Sequence, residues 1–290
     1  MNILKTNSLT EAQIRAIHEL DRICAEADGA KNRISLDNGI NFVHGMDSYF
    51  MLFEGDALLG LISVFAPMQD VAEISAIVHP EYRKQGHFRR LLAEAAASLL
   101  GNGYHKLLLV HEASAQAGKA IAQKWGVGIE HSEYLLHYTG SVQTSDNANL
   151  TVRYAQDSDI PEMARLSSET FGETFEEARH LVESAFKDNN RHNFVVLLND
   201  EMVGIGGVNT GDPDLYIFGL GISPQHQNKG LGRIMLAKII CELQKSYDRD
   251  IVLEVDSENA RAFHLYTTSG FEVRTQYDYY EARTEEYIAQ

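Results

Sequence analysis

Ile222-Ser223-Pro224-Gln225-His226-Gln227-Asn228-Lys229-Gly230-Leu231-Gly232 leaves one regular element and opens another. Upstream, residues 215–223 read as a strand. Downstream, residues 230–247 carry apolar side chains at Leu231, Ile234, Met235, Ile239 and Leu243, the spacing of an amphipathic helix. A glycine turn between a strand and a helix lets backbone approach a ligand closely. The free N–H groups and positive end of the helix then suit a pyrophosphate. Lys229 and Arg233 add cationic donors. Taken alone, the six-residue glycine pattern from Gln227 to Gly232 reads equally as a plain turn with a glycine helix start.

Working outward, residues 150–154 read as a strand. Asp159, Pro161 and Glu162 mark a helix start, with Asp159 as its cap. Thr174-Phe175-Glu176-Glu177 marks a second start in capping-box form. Residues 194–198 and 202–208 form a hairpin about Asn199-Asp200. Residues 251–255 are a short buried strand, 260–269 a helix stopped at Gly270, and 271–280 a closing strand. The order is β-α-α-β-β-β-α-β-α-β. The first half repeats its later part: a hairpin over 49–53 and 57–65, a strand over 74–79, a helix over 86–100, a strand over 107–110 and a helix over 115–125 ending at Gly126. His79-Pro80 and Ser223-Pro224, Gly86 and Gly230, Leu107–Val110 and Ile251–Glu254, and Gly126 and Gly270 all lie 144 positions apart. One constant offset through two helices and two strands marks two copies of one domain. The polar, aperiodic run Ser141-Val142-Gln143-Thr144-Ser145-Asp146-Asn147-Ala148-Asn149 reads as the linker. The expected division is 1–140, a linker over 141–150, and 151–290.

The loop Ile222–Gly232 resembles the acetyl-CoA pyrophosphate loop of the GCN5-related N-acetyltransferases, the GNAT superfamily. The run through Leu253-Glu254-Val255, Asn259-Ala260-Arg261-Ala262, Leu265-Tyr266 and Gly270-Phe271 is similar to their second signature, in the form seen in ribosomal-protein Nα-acetyltransferases. The resemblance covers all of 151–290 and, more weakly, 45–140. Two such domains in about 290 residues resemble the layout of the mycothiol synthases. The fold implied is α/β: two tandem GNAT-type domains, each a mixed sheet flanked by helices.

The resemblance implies that acetyl-CoA lies where two parallel strands splay, the first being 215–223. Gly219-Leu220-Gly221 suits the β-bulge the family places there. Backbone groups of Leu220 and Ile222 would meet the pantetheine and thioester. Gln227, Asn228, Lys229, Gly230, Leu231, Gly232 and Arg233 would meet the pyrophosphate. Asn259 is expected beside the pantetheine, or as a simple helix cap. Tyr266 matches the general acid and Glu254 the base, with Asp214 and Tyr216 as rivals. At the same offset the first copy has Val110 and Ala122 in place of Glu254 and Tyr266, so chemistry is expected in the second copy only. Its loop, Arg83-Lys84-Gln85-Gly86-His87-Phe88, ends in Phe88 rather than glycine but keeps cations at Arg83, Lys84, Arg89 and Arg90.

The implied function is N-acetyl transfer from acetyl-CoA to a primary amine by direct attack in a ternary complex, with no metal. The acceptor is a small-molecule amine or a peptide N-terminus. A non-catalytic acyl-CoA-binding or regulatory protein is the alternative from another class. The composition agrees with an ordinary globular protein: 44% hydrophobic, 23% charged, formal net charge −16. That acidity counts against a nucleic-acid binder. Residues 151–290 hold 24 acidic and 13 basic side chains, so net −11 falls on the copy with the expected acid and base. The reading there is solubility, or a field that draws a cationic acceptor. No apolar run approaches a membrane span of about 18 residues, and the first residues lack a secretory h-region. Two cysteines, Cys24 and Cys241, both on expected helices, fit a reducing compartment, and the expected location is cytoplasmic. The 12 histidines form no metal-ligand spacing. Tyr277-Asp278-Tyr279-Tyr280-Glu281 reads as a half-buried last strand or as a lining of the acceptor cleft.

Overall fold

The computed structural model describes residues 1–31, 34–140 and 149–287. Most of the expected linker, residues 141–148, lies outside the described residues. The elements run β1 (Asn2–Thr6), α1 (Glu11–Asp28), β2 (Tyr49–Glu54), β3 (Ala57–Phe65), β4 (Val71–Val78), α2 (His87–Gly101), β5 (Lys106–Glu112), α3 (Gln116–Trp125) and β6 (Ile129–Tyr138). They continue with β7 (Leu150–Tyr154), α4 (Ile160–Phe171), α5 (Phe175–Lys187), β8 (Arg191–Leu198), β9 (Glu201–Asn209), β10 (Leu215–Ile222), α6 (Leu231–Ser246), β11 (Ile251–Asp256), α7 (Ala260–Thr267) and β12 (Phe271–Arg283). The 144-residue offset carries β3 onto β9, β4 onto β10, and the starts of α2 and α3 onto those of α6 and α7. Ahead of that stretch the copies differ, because α1 is one helix where the second copy has α4 and α5.

The chain forms two compact units, Met1–Ser132 with Thr275–Gln290, and Glu133–Arg274. The sequence division at 141–150 keeps 133–140 with the first copy and 275–290 with the second; the units do the opposite. In the first unit the strands lie in the order β1-β2-β3-β4-β5-β12, where β12 pairs antiparallel with β5 from Tyr277↔Glu112 to Arg283↔Lys106. In the second the order is β7-β8-β9-β10-β11-β6, where β6 pairs antiparallel with β11 from His137↔Val252 to Glu133↔Asp256. Each sequence copy therefore supplies the last strand of the other unit. Strand pairing needs a free edge and a matching apolar face, and either last strand offers both, so pattern alone could not assign them. The aromatic run near the C-terminus accordingly belongs to the first unit, with Tyr280 in its core.

Local chemistry explains most element ends. In α5, Thr174 Oγ1 accepts the Glu177 N–H at 3.2 Å and the Glu177 carboxylate accepts the Thr174 N–H at 3.0 Å. Thr174→Ala is expected to cost about 1 kcal/mol, read as a lower urea midpoint at unchanged m-value. Asn199 and Asp200 both take positive φ, 51° and 66°, as a tight hairpin turn requires. The expectation for Asp159 needs refinement: it occupies the N-cap position of α4, but its side chain makes no cap hydrogen bond there. Its carboxylate instead accepts two hydrogen bonds from Arg153, at 2.7 and 3.0 Å, and the Gln156 N–H at 2.7 Å. It thus closes the short turn Asp157–Asp159, and Pro161 sits in the first turn of α4.

The second unit has two packed faces. Leu136, Leu215, Ile217, Leu253 and Val255 pack with α6 residues, Tyr266 of α7 and Phe271 in one core. On the other face α4 and α5 bury Met163, Leu166 and Val182 against Val195 of β8 and Ile205 of β9. No described helix is long and apolar enough to cross a membrane.

Candidate active site

The two parallel central strands of the second unit part early. β10 and β11 pair only at Leu215↔Ile251, Tyr216↔Val252 and Ile217↔Leu253. Beyond Ile217, β10 bulges: its register with β9 jumps between Phe218 and Gly221, and Gly219 takes φ 59°. Two residues on β10 face one on β9, the definition of a bulge. The glycines of β9 make room for it. A Cβ at Gly206 would meet Leu220 Cδ2 at 2.7 Å, and one at Gly204 would meet Ile222 Cδ1 at 2.7 Å. The end of α4 presses on the same place, since a Cβ at Gly221 would lie 2.9 Å from atoms of both Thr170 and Phe171. Bulge and parting together leave a gap between the strands, flanked by backbone of Leu220 and Ile222.

The loop after β10 places an uncapped helix start beside this gap. Asn228 (φ 61°) and Gly230 (φ 78°) are left-handed, and no side chain caps α6 at Gly230. The N–H groups of the first turn, near Leu231 and Gly232, are thus available to an anion. Gln227 braces the loop: its side-chain amide donates to the Ile222 carbonyl at 2.9 Å and accepts from Arg261 at 2.8 Å. Lys229 is exposed. Arg233 turns to α7 instead, donating to the Thr268 carbonyl at 2.7 Å and to Thr268 Oγ1 at 2.6 Å. Asn259 caps α7, its side-chain oxygen accepting the Ala262 N–H at 3.0 Å, so of its two expected roles the structure displays the cap.

Glu254 and Tyr266 lie on opposite faces of the sheet. Leu253 and Val255 point into the core that holds Tyr266, so the alternating side chain of Glu254 emerges on the other face. Tyr216, which alternates with core residues Leu215 and Ile217, emerges there too, and its hydroxyl donates to Glu254 Oε2 at 3.0 Å. Burial, reinforced by the nearby Glu133 carboxylate, pushes the Glu254 carboxyl up to about 7, against the pull of the Tyr216 hydrogen bond. Burial pushes the Tyr266 hydroxyl up to about 12, so it stays protonated. The two rivals for the base are both engaged: Tyr216 with Glu254, and Asp214 in an ion pair with Arg274. Among the described residues no group of three or more His, Cys, Asp and Glu side chains could hold a metal ion.

Two contributions escaped the sequence reading. The β9 glycines left a legible trace, in that Gly204, Gly206 and Gly207 crowd one strand and stand opposite Ile222, Leu220 and Phe218 of β10. Glu133 left none, because only the pairing of β6 with β11 brings it here.

The first unit repeats the loop with Val110 and Ala122 at the positions of Glu254 and Tyr266. Lys84 (φ 62°) and Gly86 (φ 84°) match Asn228 and Gly230, and α2 also lacks a side-chain cap. Arg83 takes the place of Gln227 and donates to the Val78 carbonyl at 2.9 Å, but its guanidinium is held by Asp28 at 2.6 and 2.8 Å. Phe88 stacks on Trp125, ring centroids 5.5 Å apart, where the second unit has Gly232 and Ser269. Cys24, buried on α1, donates to the Val78 carbonyl at 3.4 Å, and burial pushes its thiol up to about 11, leaving it inert at neutral pH.

A bulged strand, a parted parallel pair and an uncapped glycine helix start mark the second unit; the first repeats the short parallel pairing and the helix start, while its β4 pairs with β3 without a register shift. Residues 14–126 and 160–271 each match the Acetyltransferase (GNAT) family, and the chain belongs to that family. It is 33% identical over 83 residues to the [ribosomal protein bS18]-alanine N-acetyltransferase of Escherichia coli (strain K12), a stretch covering 29% of this chain and 56% of that protein. The match thus spans about half of that relative's length. The corresponding enzyme of Haemophilus influenzae is 30% identical over 112 residues, 36% of this chain and 76% of that one. Among solved structures, a GCN5-related N-acetyltransferase from Sphaerobacter thermophilus superposes with TM-score 0.74 at 17% identity, covering 97% of this chain and 96% of that one. A tandem GNAT protein from the clavulanic acid biosynthesis pathway superposes with TM-score 0.72 at 14% identity, covering 98% of each. These two likenesses are of fold, and they extend over both units.

Proposed function

We propose that this chain transfers an acetyl group from acetyl-CoA to a primary amine, and that the second unit performs the reaction. One observation carries the reading: where β10 and β11 part, the carboxyl of Glu254 emerges on one face of the sheet, and the protonated phenol of Tyr266 lies in the core on the other. The gap gives the thioester a place reachable from both. An alkylammonium, with pKa near ~10, must lose a proton before it attacks. Glu254, poised near 7, takes that proton directly or through water. The amine nitrogen bonds to the thioester carbonyl carbon, the carbon–sulfur bond breaks, and Tyr266 donates to the departing sulfur. The pyrophosphate would rest on the first turn of α6, with Lys229 adjacent, and the pantetheine would run along Leu220 and Ile222.

The acceptor is a small amine or a peptide N-terminus. The local similarity to bS18-alanine N-acetyltransferases favours the second as an alternative worth equal testing. Net −11 over residues 151–290 suits a cationic acceptor in either case. The first unit, with Val110 and Ala122 in place of base and acid, is assigned a structural role.

The test is CoA release from acetyl-CoA across a panel of small amines and short peptides. Release with at least one class is expected. Tight binding of acetyl-CoA with no release from any amine selects the non-catalytic alternative. Tyr266→Phe is expected to lower kcat by roughly 10²-fold with little change in KM for acetyl-CoA. Lys84→Ala, in the loop of the first unit, is expected to leave kcat unchanged. The opposite pattern would assign the chemistry to the first unit.

A further inference from the structure

We propose that Tyr216 is a positioning residue of the acyl-transfer site, its hydroxyl fixing one oxygen of Glu254 so that the other faces the gap, a role that rests on Glu254 being the base. The strand register makes the contact unavoidable. Tyr216 stands one rung before the last pairing of β10 with β11, and Glu254 is the first residue beyond that pairing. Residues diagonal across neighbouring strands lie about 7–8 Å apart, within reach of a tyrosine. The ring has only two side-chain torsions, so it acts as a lever of fixed length. The phenol donates to Oε2 at 3.0 Å. No other hydrogen bond to the Glu254 carboxyl is made among the described residues, which leaves Oε1 for a proton from the acceptor.

The first unit supplies an internal control. At the 144-residue offset Tyr216 becomes Ala72, Glu254 becomes Val110 and Tyr266 becomes Ala122. Donor, carboxyl and acid are missing together from a unit that keeps the loop geometry. Tyr216 therefore follows the chemistry of the site and not the architecture of the strand.

The charged surroundings of Glu254 make the role separable from simple packing. From β6, Glu133 and His137 share its face, because Glu254 pairs with Leu135 and Val252 with His137. On β11 itself, Asp256 lies two residues on and accepts the Glu258 N–H at 2.7 Å. Just before β10, Asp214 is ion-paired with Arg274, and from α4 the residues at the bulge are Thr170 and Phe171, neither charged. α7 packs on the opposite face with Tyr266. Tyr216 thus favours the ionised Glu254 and Glu133 disfavours it, so substitutions at the two must act in opposite directions.

The experiment is a 13C NMR titration of the full chain labelled at glutamate Cδ, with the Glu254 signal assigned by its loss in Glu254→Gln. The unsubstituted protein is expected to titrate near 7. In Tyr216→Phe the midpoint moves up, in Glu133→Gln it moves down, and kcat of Tyr216→Phe at neutral pH falls about tenfold with KM for acetyl-CoA unchanged. An unmoved midpoint in Tyr216→Phe, alongside a lowered one in Glu133→Gln, overturns the positioning role and leaves Glu254 as base. Full CoA release by Glu254→Gln overturns the base itself, and the positioning role with it, whatever the midpoints do.

Discussion

Glu254→Gln is expected to lower turnover by about 10²- to 10⁴-fold while making the folded protein more stable at alkaline pH. Both effects follow from one environment. Burial and Glu133 raise the carboxyl from its ordinary 4.5 to about 7. A base must be ionised, so kcat/KM of the unsubstituted enzyme should climb as pH rises through about 7, and that limb should vanish in the amide variant. For stability the sign is the reverse of a salt-bridged carboxylate. The folded state holds the Glu254 proton more tightly than the unfolded state does. The fold carries no penalty from this group below about 4.5, a growing one between 4.5 and 7, and the full one above 7. An amide cannot ionise and escapes it. Glu254→Gln should therefore gain about 2–3 kcal/mol at pH 8 and nothing at pH 4, measured by urea unfolding at both. An active-site substitution that stabilises is the usual mark of a group held in a state the fold resists. Equal gains at the two pH values would show that Glu254 is not strained in this way, and an unchanged pH–rate profile would remove it as the base.

The strand–loop–helix around Gly230, the second hairpin and both helices of the repeat were legible because each rests on local chemistry: glycine torsions, capping residues, periodicity. The proposed acid and base come from the resemblance, and the internal repeat sets them against Ala122 and Val110 in the first copy. Three things were hidden for physical reasons. Asp159 has the side chain of a cap, but Arg153 competes for its carboxylate, and a charged bidentate pair outweighs one backbone N–H. Arg233 reaches the end of α7, where Thr268 offers it two acceptors, a contact no local pattern shows. The pairing of β6 and β12 depends on edges far apart in sequence, and no local rule chooses between two strands that are repeats of each other.

That last point carries the largest structural consequence. A chain cut to residues 149–290 holds the whole second sequence copy, with its loop, Glu254 and Tyr266, yet lacks the strand that completes their sheet. β11 would lose its five rungs to β6, from His137↔Val252 to Glu133↔Asp256. Leu136, fully buried in the core that holds Tyr266, would be gone. So would the pairings of Tyr134 with Phe263 and Tyr138 with Phe271, ring centroids 5.3 and 5.2 Å apart. The Thr139 and Gly140 N–H groups that meet the Gly270 carbonyl at 2.8 and 3.0 Å, at the turn after α7, would go with them. Burial of a leucine is worth about 2–3 kcal/mol, each aromatic pair about 1 kcal/mol more, and an opened strand leaves apolar neighbours such as Leu253 exposed. Set against a typical total stability of about 5–15 kcal/mol, the loss is enough to unfold the unit. The 149–290 chain is expected to show no cooperative urea transition and no acetyl-CoA binding. A chain of residues 128–274, which surrenders the C-terminal run of the second copy but keeps β6, is expected to retain both. If 149–290 unfolds cooperatively and binds acetyl-CoA within about threefold of the full chain, β6 is dispensable, and the second copy is a self-sufficient domain after all.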